Sequence, residues 1–195
     1  MKNYIFLIIF TILFNHAQSQ ELGIKIGSSL IENNSTLNKP INIGIYYNNK
    51  ISNKINVSIS YLYSQKKQKN VKMDFQTNYN GHNVILDFLY NINIKKNYKV
   101  KFGLGTGYVV NNITSQGIVL NWINTIEYRY IPSRLIFGIE YKSIFNTPIS
   151  IEILATPSYL FNIHQKSDAI MLSDTNTDLK MFSINLGLKY LIGKQ

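Results

Sequence analysis

The residues best suited to acid–base or metal chemistry in this chain are three widely separated histidines. His16 lies near the start, and His82 and His164 fall in segments that we predict to be external loops. A histidine acts as a general base only beside a partner that positions it, and the sequence shows no such partner. His16 falls within the predicted signal peptide, which leaves two distant histidines. With these two and no cysteine, a metal site is not expected. The residue types therefore predict no catalytic residue, no metal and no cofactor.

Residues 103–107 are rich in glycine, as phosphate-binding loops are. Such a loop follows a strand and opens a helix. Here the glycines alternate with Leu104 and Thr106 inside a longer alternating segment, so we predict that they lie within a strand.

Charged residues form a second group, because nine of them share the small or polar side of alternating segments. Burying a charge is costly unless it is paired. If this side is the interior of the protein, the nine charges should pair across neighbouring strands. They are Lys25, Asp87, Lys99, Lys101, Glu127, Arg129, Glu140, Lys142 and Lys189.

The N-terminus indicates where the chain is sent. Lys2 precedes an apolar run over residues 4–14, and small residues follow at 17–19. This is the order of a secretory signal peptide, and the run is too short for a membrane-spanning helix, which needs about 20 apolar residues. We predict a signal peptide over residues 1–19 and one domain over residues 20–195.

The composition fits an exported protein that meets a membrane. The chain has a net charge of +10, only 15% charged residues, 14 tyrosines and no cysteine. Tyrosine suits places where one end of a ring is dry and the other wet. An exported protein rarely meets nucleic acid, so we expect no nucleic acid partner and an anionic lipid surface instead.

Alternation of apolar and polar residues, the pattern of a strand, dominates the rest of the chain. The side opposite the apolar residues is rich in glycine, which weakens an exposed strand and suits a crowded interior. The apolar side should then face outward, as it does in a transmembrane β-barrel. The predicted strands cover residues 22–30, 41–47, 55–63, 84–90, 98–110, 120–130, 135–145 and 182–192.

The connections between these segments alternate between short and long, as they do in outer-membrane barrels. Residues 65–82 and 146–177 form the longest connections, and residues 131–133 are predicted to be a tight turn. With the N-terminus in the periplasm, every long connection falls outside. Residues 150–161 alternate weakly around Pro157 and leave open a barrel of ten strands.

Aromatic residues sort by height into two predicted belts, which would anchor at the two membrane interfaces. The periplasmic belt holds Tyr47, Tyr90, Tyr98, Tyr128, Tyr130 and Tyr190, and the external belt holds Tyr61, Tyr63, Tyr108, Trp122, Phe145 and Phe182.

Residues 23–30 and the glycine-rich residues 102–110, together with the signal, resemble small outer-membrane β-barrel proteins of Bacteroidota, the porin-family or PorT-like group. The closing strand resembles the assembly signal of such barrels: a polar residue, a glycine and two alternating hydrophobic residues. The resemblance implies an outer-membrane location and recognition by the barrel-assembly machinery. The matching residues are Asn185, Gly187, Tyr190 and Ile192.

Four lysines in the second external connection lie just above Tyr61 and Tyr63, at the expected height of lipopolysaccharide phosphates. Lysine is a compact charge suited to phosphate, so a lipopolysaccharide contact is one interpretation, and a solvated basic loop is the other. The four are Lys66, Lys67, Lys69 and Lys72.

These observations predict an all-β, antiparallel transmembrane barrel of about eight strands, a size that side chains just fill. The expected role is non-enzymatic: a scaffold, a surface contact with a protein partner through the external loops, or an accessory in transport or secretion. Three alternatives stay open, namely a narrow porin-like channel, a soluble exported lipocalin-like binder and a lipid A-modifying barrel enzyme.

Overall fold

Eight antiparallel strands close into a barrel in the computed structural model, which describes residues 20–32, 39–70, 75–117, 122–144, 147–167 and 178–192. Each strand pairs with its neighbours in chain order, and β8 pairs with β1 to close the ring. This confirms the predicted all-β antiparallel barrel and its count of eight over the described residues. The strands are β1 (Gln20–Ile31), β2 (Ile41–Lys50), β3 (Ile55–Asn70), β4 (Phe75–Lys95), β5 (Tyr98–Gly117), β6 (Ile123–Tyr141), β7 (Ile149–Ser167) and β8 (Leu179–Ile192).

The alternation places apolar side chains on the outside of the barrel. Ile24 and Ile26 are 58% and 52% exposed, whereas Lys25 between them is buried. Every strand exposes isoleucine, leucine, valine or aromatic residues on the outside, while the inward side combines small and polar residues with some large apolar ones. Among the described residues there is no helix long and apolar enough to cross a membrane.

The inward glycines make room for large interior side chains. A Cβ atom at Gly105 would collide with Asp87 Oδ1 and would lie 2.8 Å from Arg134 Cγ. The interior is therefore crowded, which is the physical reason for the glycine-rich side of β5.

Two sequence predictions about the later strands are wrong. β6 runs unbroken through residues 131–133, so the predicted tight turn does not exist. The predicted strands on either side of it, as far as they fall within residues 123–141, belong to one strand. Residues 150–161 belong to β7, so the ten-strand alternative is wrong as well. Pro132 is the reason for the first error, because proline has no N–H to donate to a neighbouring strand. The pairing of β6 with β5 is interrupted there, between Val109↔Tyr130 and Thr106↔Ser133. The strand nevertheless continues on both sides of the proline.

The two ends of the barrel differ. Short connections over residues 51–54, 96–97 and 142–148 define the basal end, and the connections at the opposite, upper end join strands of up to 21 residues. The predicted long loop over residues 65–82 is largely strand, since β3 continues to Asn70 and β4 begins at Phe75.

The aromatic residues follow this layout only in part. Tyr90, Tyr98 and Tyr190 face outward at the basal end, as predicted. Tyr128 and Tyr130 instead lie toward the upper end and belong to the interior packing, so their predicted place in the periplasmic belt is wrong. Phe145 and the predicted signal peptide lie outside the described residues.

Candidate functional site

The basal half of the barrel interior holds a cluster of seven charged residues, here called the basal charge cluster. Five strands contribute to it, because β1, β5, β6, β7 and β8 each turn alternate residues inward at the same height. Its members are Glu21, Lys25, Lys99, Lys101, Glu140, Glu152 and Lys189.

Lys101 and Lys189 bind the three glutamates together. Lys101 Nζ lies 2.6 Å from Glu140 Oε2 and 2.5 Å from Glu152 Oε2, and all three side chains are buried. Lys189 Nζ donates to Glu140 at 2.8 Å and to Glu21 at 2.7 Å. Because each ammonium group meets two carboxylates, the pairs form one connected network rather than separate bridges.

The remaining two lysines are held at the edges of the network. Lys99 Nζ is 3.8 Å from Glu140 Oε1. Lys25 Nζ lies 4.2 Å from the centre of the Tyr46 ring, a cation–π contact. The cluster thus sets four lysines against three glutamates, and the aromatic ring supports the extra positive charge.

A second interior pair lies nearer the middle of the barrel. Arg134 Nε is 3.5 Å from Asp87 Oδ1, and both side chains are buried. Leu89, Ile136 and Leu154 pack into an apolar group in this region.

The upper half of the interior is closed by apolar side chains. Ile85, Val109, Tyr130 and Leu160 form one buried group, and Ile31 packs with Tyr79 in another, where Tyr79 Oη donates to Asn111 Oδ1 at 2.9 Å. A cavity of about 30 Å³ remains in the interior, which is room for about one or two water molecules. The described residues therefore form a filled barrel.

The structure brings together six of the nine predicted interior charges: Lys25, Asp87, Lys99, Lys101, Glu140 and Lys189 are buried inside. Glu127 and Arg129 are not among them. They face outward near the upper end, where Arg129 Nε lies 2.6 Å from Glu127 Oε1. Lys142 directly follows the last residue of β6, and its partly buried side chain lies beside Lys99 at the basal mouth of the interior.

The false turn at residues 131–133 caused the error at Glu127 and Arg129. In an unbroken strand Glu140 and Arg134 fix the even positions as inward, so residues 127 and 129 must face outward. The same count would have found Arg134, which sequence reasoning missed. Glu152 was missed because its strand was unassigned, and Glu21 because it lay at the expected start of the mature chain.

His82 and His164 lie on strands rather than in loops. His82 faces outward on β4, and its Nδ1 is 2.7 Å from Tyr61 Oη. The backbone N–H of His164 donates to Asn162 Oδ1 at 3.0 Å. Among the described residues no group of three or more His, Cys, Asp or Glu side chains could hold a metal ion.

The four lysines of the second upper connection do not share one surface. Lys67 and Lys69 are exposed on the outward side of β3, whereas Lys66 is on the inward side and partly buried. Lys72 lies outside the described residues.

The residues of the predicted assembly signal divide between the two faces of β8. Asn185 and Gly187 face the interior, and Tyr190 and Ile192 are exposed outside at the basal end. Gly187 also has a packing role, because a Cβ atom there would lie 2.7 Å from Glu152 Cγ and 3.0 Å from Tyr46 Oη.

Searches against protein-family profiles and against curated protein sequences find no match. Solved structures do match. A major outer membrane protein of Thermus thermophilus superposes with a TM-score of 0.60 at 12% identity, over 89% of this chain and 99% of that chain. The attachment invasion locus protein Ail of Yersinia pestis gives 0.55 at 13% identity, over 89% of this chain and 97% of that one.

Neisserial surface protein A, NspA, gives a TM-score of 0.52 at 12% identity, over 88% of this chain and 95% of that chain. These structural neighbours are small outer-membrane β-barrels. The chain has their fold. At such low identity the likeness carries the fold alone.

Proposed function

We propose that this chain is an outer-membrane β-barrel with a non-enzymatic role, as a scaffold that presents a surface outside the cell or as an accessory in transport or secretion. The observation that carries the proposal is the apolar outer belt, which all eight strands share. Leu104 on β5, Ile153 on β7 and Leu186 on β8 are 62%, 55% and 50% exposed. Such a belt, about 25 Å tall, is what a membrane barrel turns toward lipid.

The polar interior supports the membrane over a soluble location. A soluble lipocalin-like binder would bury its apolar residues and expose its polar face, and here Lys101 and Glu140 are fully buried while Ile24 and Leu104 are exposed. The basal end, with its short turns, would face the periplasm, and the upper end would face outside.

The filled interior favours a scaffold over the narrow porin-like channel. Between the basal charge cluster and the upper apolar groups, the described residues line a cavity of about 30 Å³, which is too small for a channel. We expect the purified chain, refolded into planar bilayers, to insert and give no steady conductance. Urea-unfolded protein is the matched control for leaks. A stable single-channel current that depends on insertion would support the porin-like alternative.

Lipopolysaccharide contact at the upper boundary remains part of the proposal. Lys67 and Lys69 project from β3 above Tyr61, Tyr63 and His82. The His82 ring packs between the two tyrosines, with its centroid 6.1 Å from that of Tyr61 and 5.3 Å from that of Tyr63. Tyrosines at the boundary with lysines above them suit a lipid whose phosphates lie at that height. An Ail structure holds the heparin analogue sucrose octasulfate, so a barrel of this fold can bind an anionic saccharide.

Replacing Lys67 and Lys69 by Gln should weaken binding of lipopolysaccharide to the purified barrel, and the loss should shrink as salt rises, because exposed charges are screened. Lys72, proposed as a further contact, can be added as a third substitution. The matched control is Lys166→Gln with Lys180→Gln, two exposed lysines at the upper ends of β7 and β8. Equal binding by wild type and the Lys67/Lys69 variant at low salt would remove the lysines from the proposal.

Membership of the porin-family or PorT-like group of Bacteroidota, and recognition of Asn185, Gly187, Tyr190 and Ile192 by the barrel-assembly machinery, are also proposed. β8 closes the barrel by pairing with both β1 and β7, which supports a role for this strand in assembly. A protein partner at the upper connections is proposed in the same way.

A further inference from the structure

Five lysines gather at the basal end, on the side of the barrel formed by β2 to β6. Three short connections carry them: Lys50 and Lys54 lie at the β2–β3 turn, Lys95 and Lys96 at the β4–β5 turn, and Lys142 after β6. Together they are called the basal lysine rim.

Backbone hydrogen bonds hold these connections side by side. The N–H of Asn91 donates to Lys54 O at 2.7 Å, and the N–H of Lys142 donates to Asn97 O at 2.8 Å. The three connections that carry the lysines are therefore neighbours at the basal end.

The rim has no carboxylates to neutralise it among the described residues. The glutamates at this height are Glu21, Glu140 and Glu152, and all three bind interior lysines in the basal charge cluster. Lys54, Lys95 and Lys96 are exposed, so the surface of the basal end carries a net charge of one sign.

Apolar and aromatic side chains lie directly beside these lysines. Ile51 and Ile94 in the turns are 45% and 62% exposed. Tyr98 and Tyr141 face outward at the same height, with ring centroids 5.0 Å apart. Lysine next to exposed isoleucine and tyrosine is the composition of a membrane interface, where the alkyl stem lies along apolar groups and the ammonium reaches the headgroups.

We propose that the basal lysine rim binds the phosphate groups of anionic phospholipids, of the phosphatidylglycerol type, in the leaflet that meets the short turns. This inference rests on the proposed membrane location. The positive charge of the rim complements lipid phosphates, and the exposed apolar side chains beside it favour a lipid over an acidic protein. Binding of an acidic protein to the lysines alone would leave Ile51 and Ile94 in water. Lysine suits mobile headgroups because it acts as a point charge without a fixed bidentate geometry.

The test measures lipid selectivity at the protein surface. The full chain is refolded into phosphatidylcholine vesicles, and electron paramagnetic resonance compares spin-labelled phosphatidylglycerol with spin-labelled phosphatidylcholine in the motionally restricted shell. Wild type should prefer phosphatidylglycerol. Lys95→Gln with Lys96→Gln should lower that preference by about fivefold for each lysine removed, the factor that about 1 kcal/mol represents.

The matched control is Lys166→Gln with Lys180→Gln, which removes the same charge from the upper ends of β7 and β8. It should keep the wild-type preference. An unchanged preference in the basal variant, or an equal loss in both variants, would overturn the inference. Heat-modifiable migration checks that each variant is folded. Failure of the wild-type chain to enter vesicles would instead overturn the membrane location.

Discussion

At the scale of single residues, the interior lysines and glutamates are the most constrained groups in the protein. Lys101 touches two carboxylates and has no exposed side-chain surface. Removing one partner of a buried ionic network leaves a charge without compensation, which is far more costly than losing an exposed pair. The stability of the barrel should therefore depend on Lys101 more than on any surface lysine.

Lys101→Met should lower the free energy of unfolding by about 3–5 kcal/mol, because Glu140 and Glu152 lose a shared partner. Urea unfolding in detergent micelles, followed by circular dichroism, measures the change. Lys180→Met is the control: Lys180 Nζ lies 3.3 Å from Glu32 Oε2, but both side chains are more than half exposed. That variant should lose about 0–1 kcal/mol, and equal losses in the two variants would contradict the role of the network.

The sequence located most of this network through alternation alone. Lys25, Lys101 and Lys189 follow directly from period two, because a residue flanked by outward apolar neighbours must point inward. Partners are harder to predict. Glu140 reaches Lys101 diagonally from the adjacent strand β6, and Glu152 reaches it across the interior from the non-adjacent strand β7. Arg129 shows the other difficulty: one misplaced turn reverses the face of every residue beyond it.

At the scale of strands, β6 and β7 show where the sequence pattern fails to predict the extent of a strand, because each contains a proline. Pro132 on β6 and Pro157 on β7 both lie within strands whose pairing is locally interrupted, and both strands continue. Proline usually marks an edge or the end of a strand. In a closed barrel, β6 and β7 are paired with their neighbouring strands on both sides of each proline. This pairing keeps the strands continuous, and the local sequence around a proline does not predict it.

β5 offers a direct test of the apolar belt within one strand. Leu104→Arg should destabilise the folded protein in vesicles by about 2–4 kcal/mol, because it places a charge near the membrane midplane. Gln116→Arg lies on the same outward face of β5 but beyond the belt, where a charge meets water, and should change stability by less than about 1 kcal/mol. Comparable losses at residues 104 and 116, measured by urea unfolding from vesicles, would place the membrane boundary elsewhere.

At the scale of the whole molecule, the barrel inverts the arrangement of a soluble protein. The basal charge cluster is buried inside, and isoleucine or leucine side chains are exposed outside on all eight strands. An exposed apolar surface of this extent marks a face that meets a membrane or another protein, and the proposed outer-membrane location supplies lipid on every side of the barrel. The proposed scaffold role, the lipopolysaccharide contact of the upper lysines and the lipid binding of the basal lysine rim all depend on a membrane location.

The most direct test of the central claim is a ring of nitroxide labels around the barrel. The chain has no cysteine, so single cysteines can be introduced at Ile24, Phe88, Leu104, Ile153 and Leu186 on five strands, with Asn78 and Gln116 as controls toward the upper end. In vesicles, the first five labels should collide with oxygen far more than with a water-soluble nickel chelate, and the two controls should show the reverse. Water accessibility at the five belt positions of the folded protein would contradict a membrane-spanning barrel.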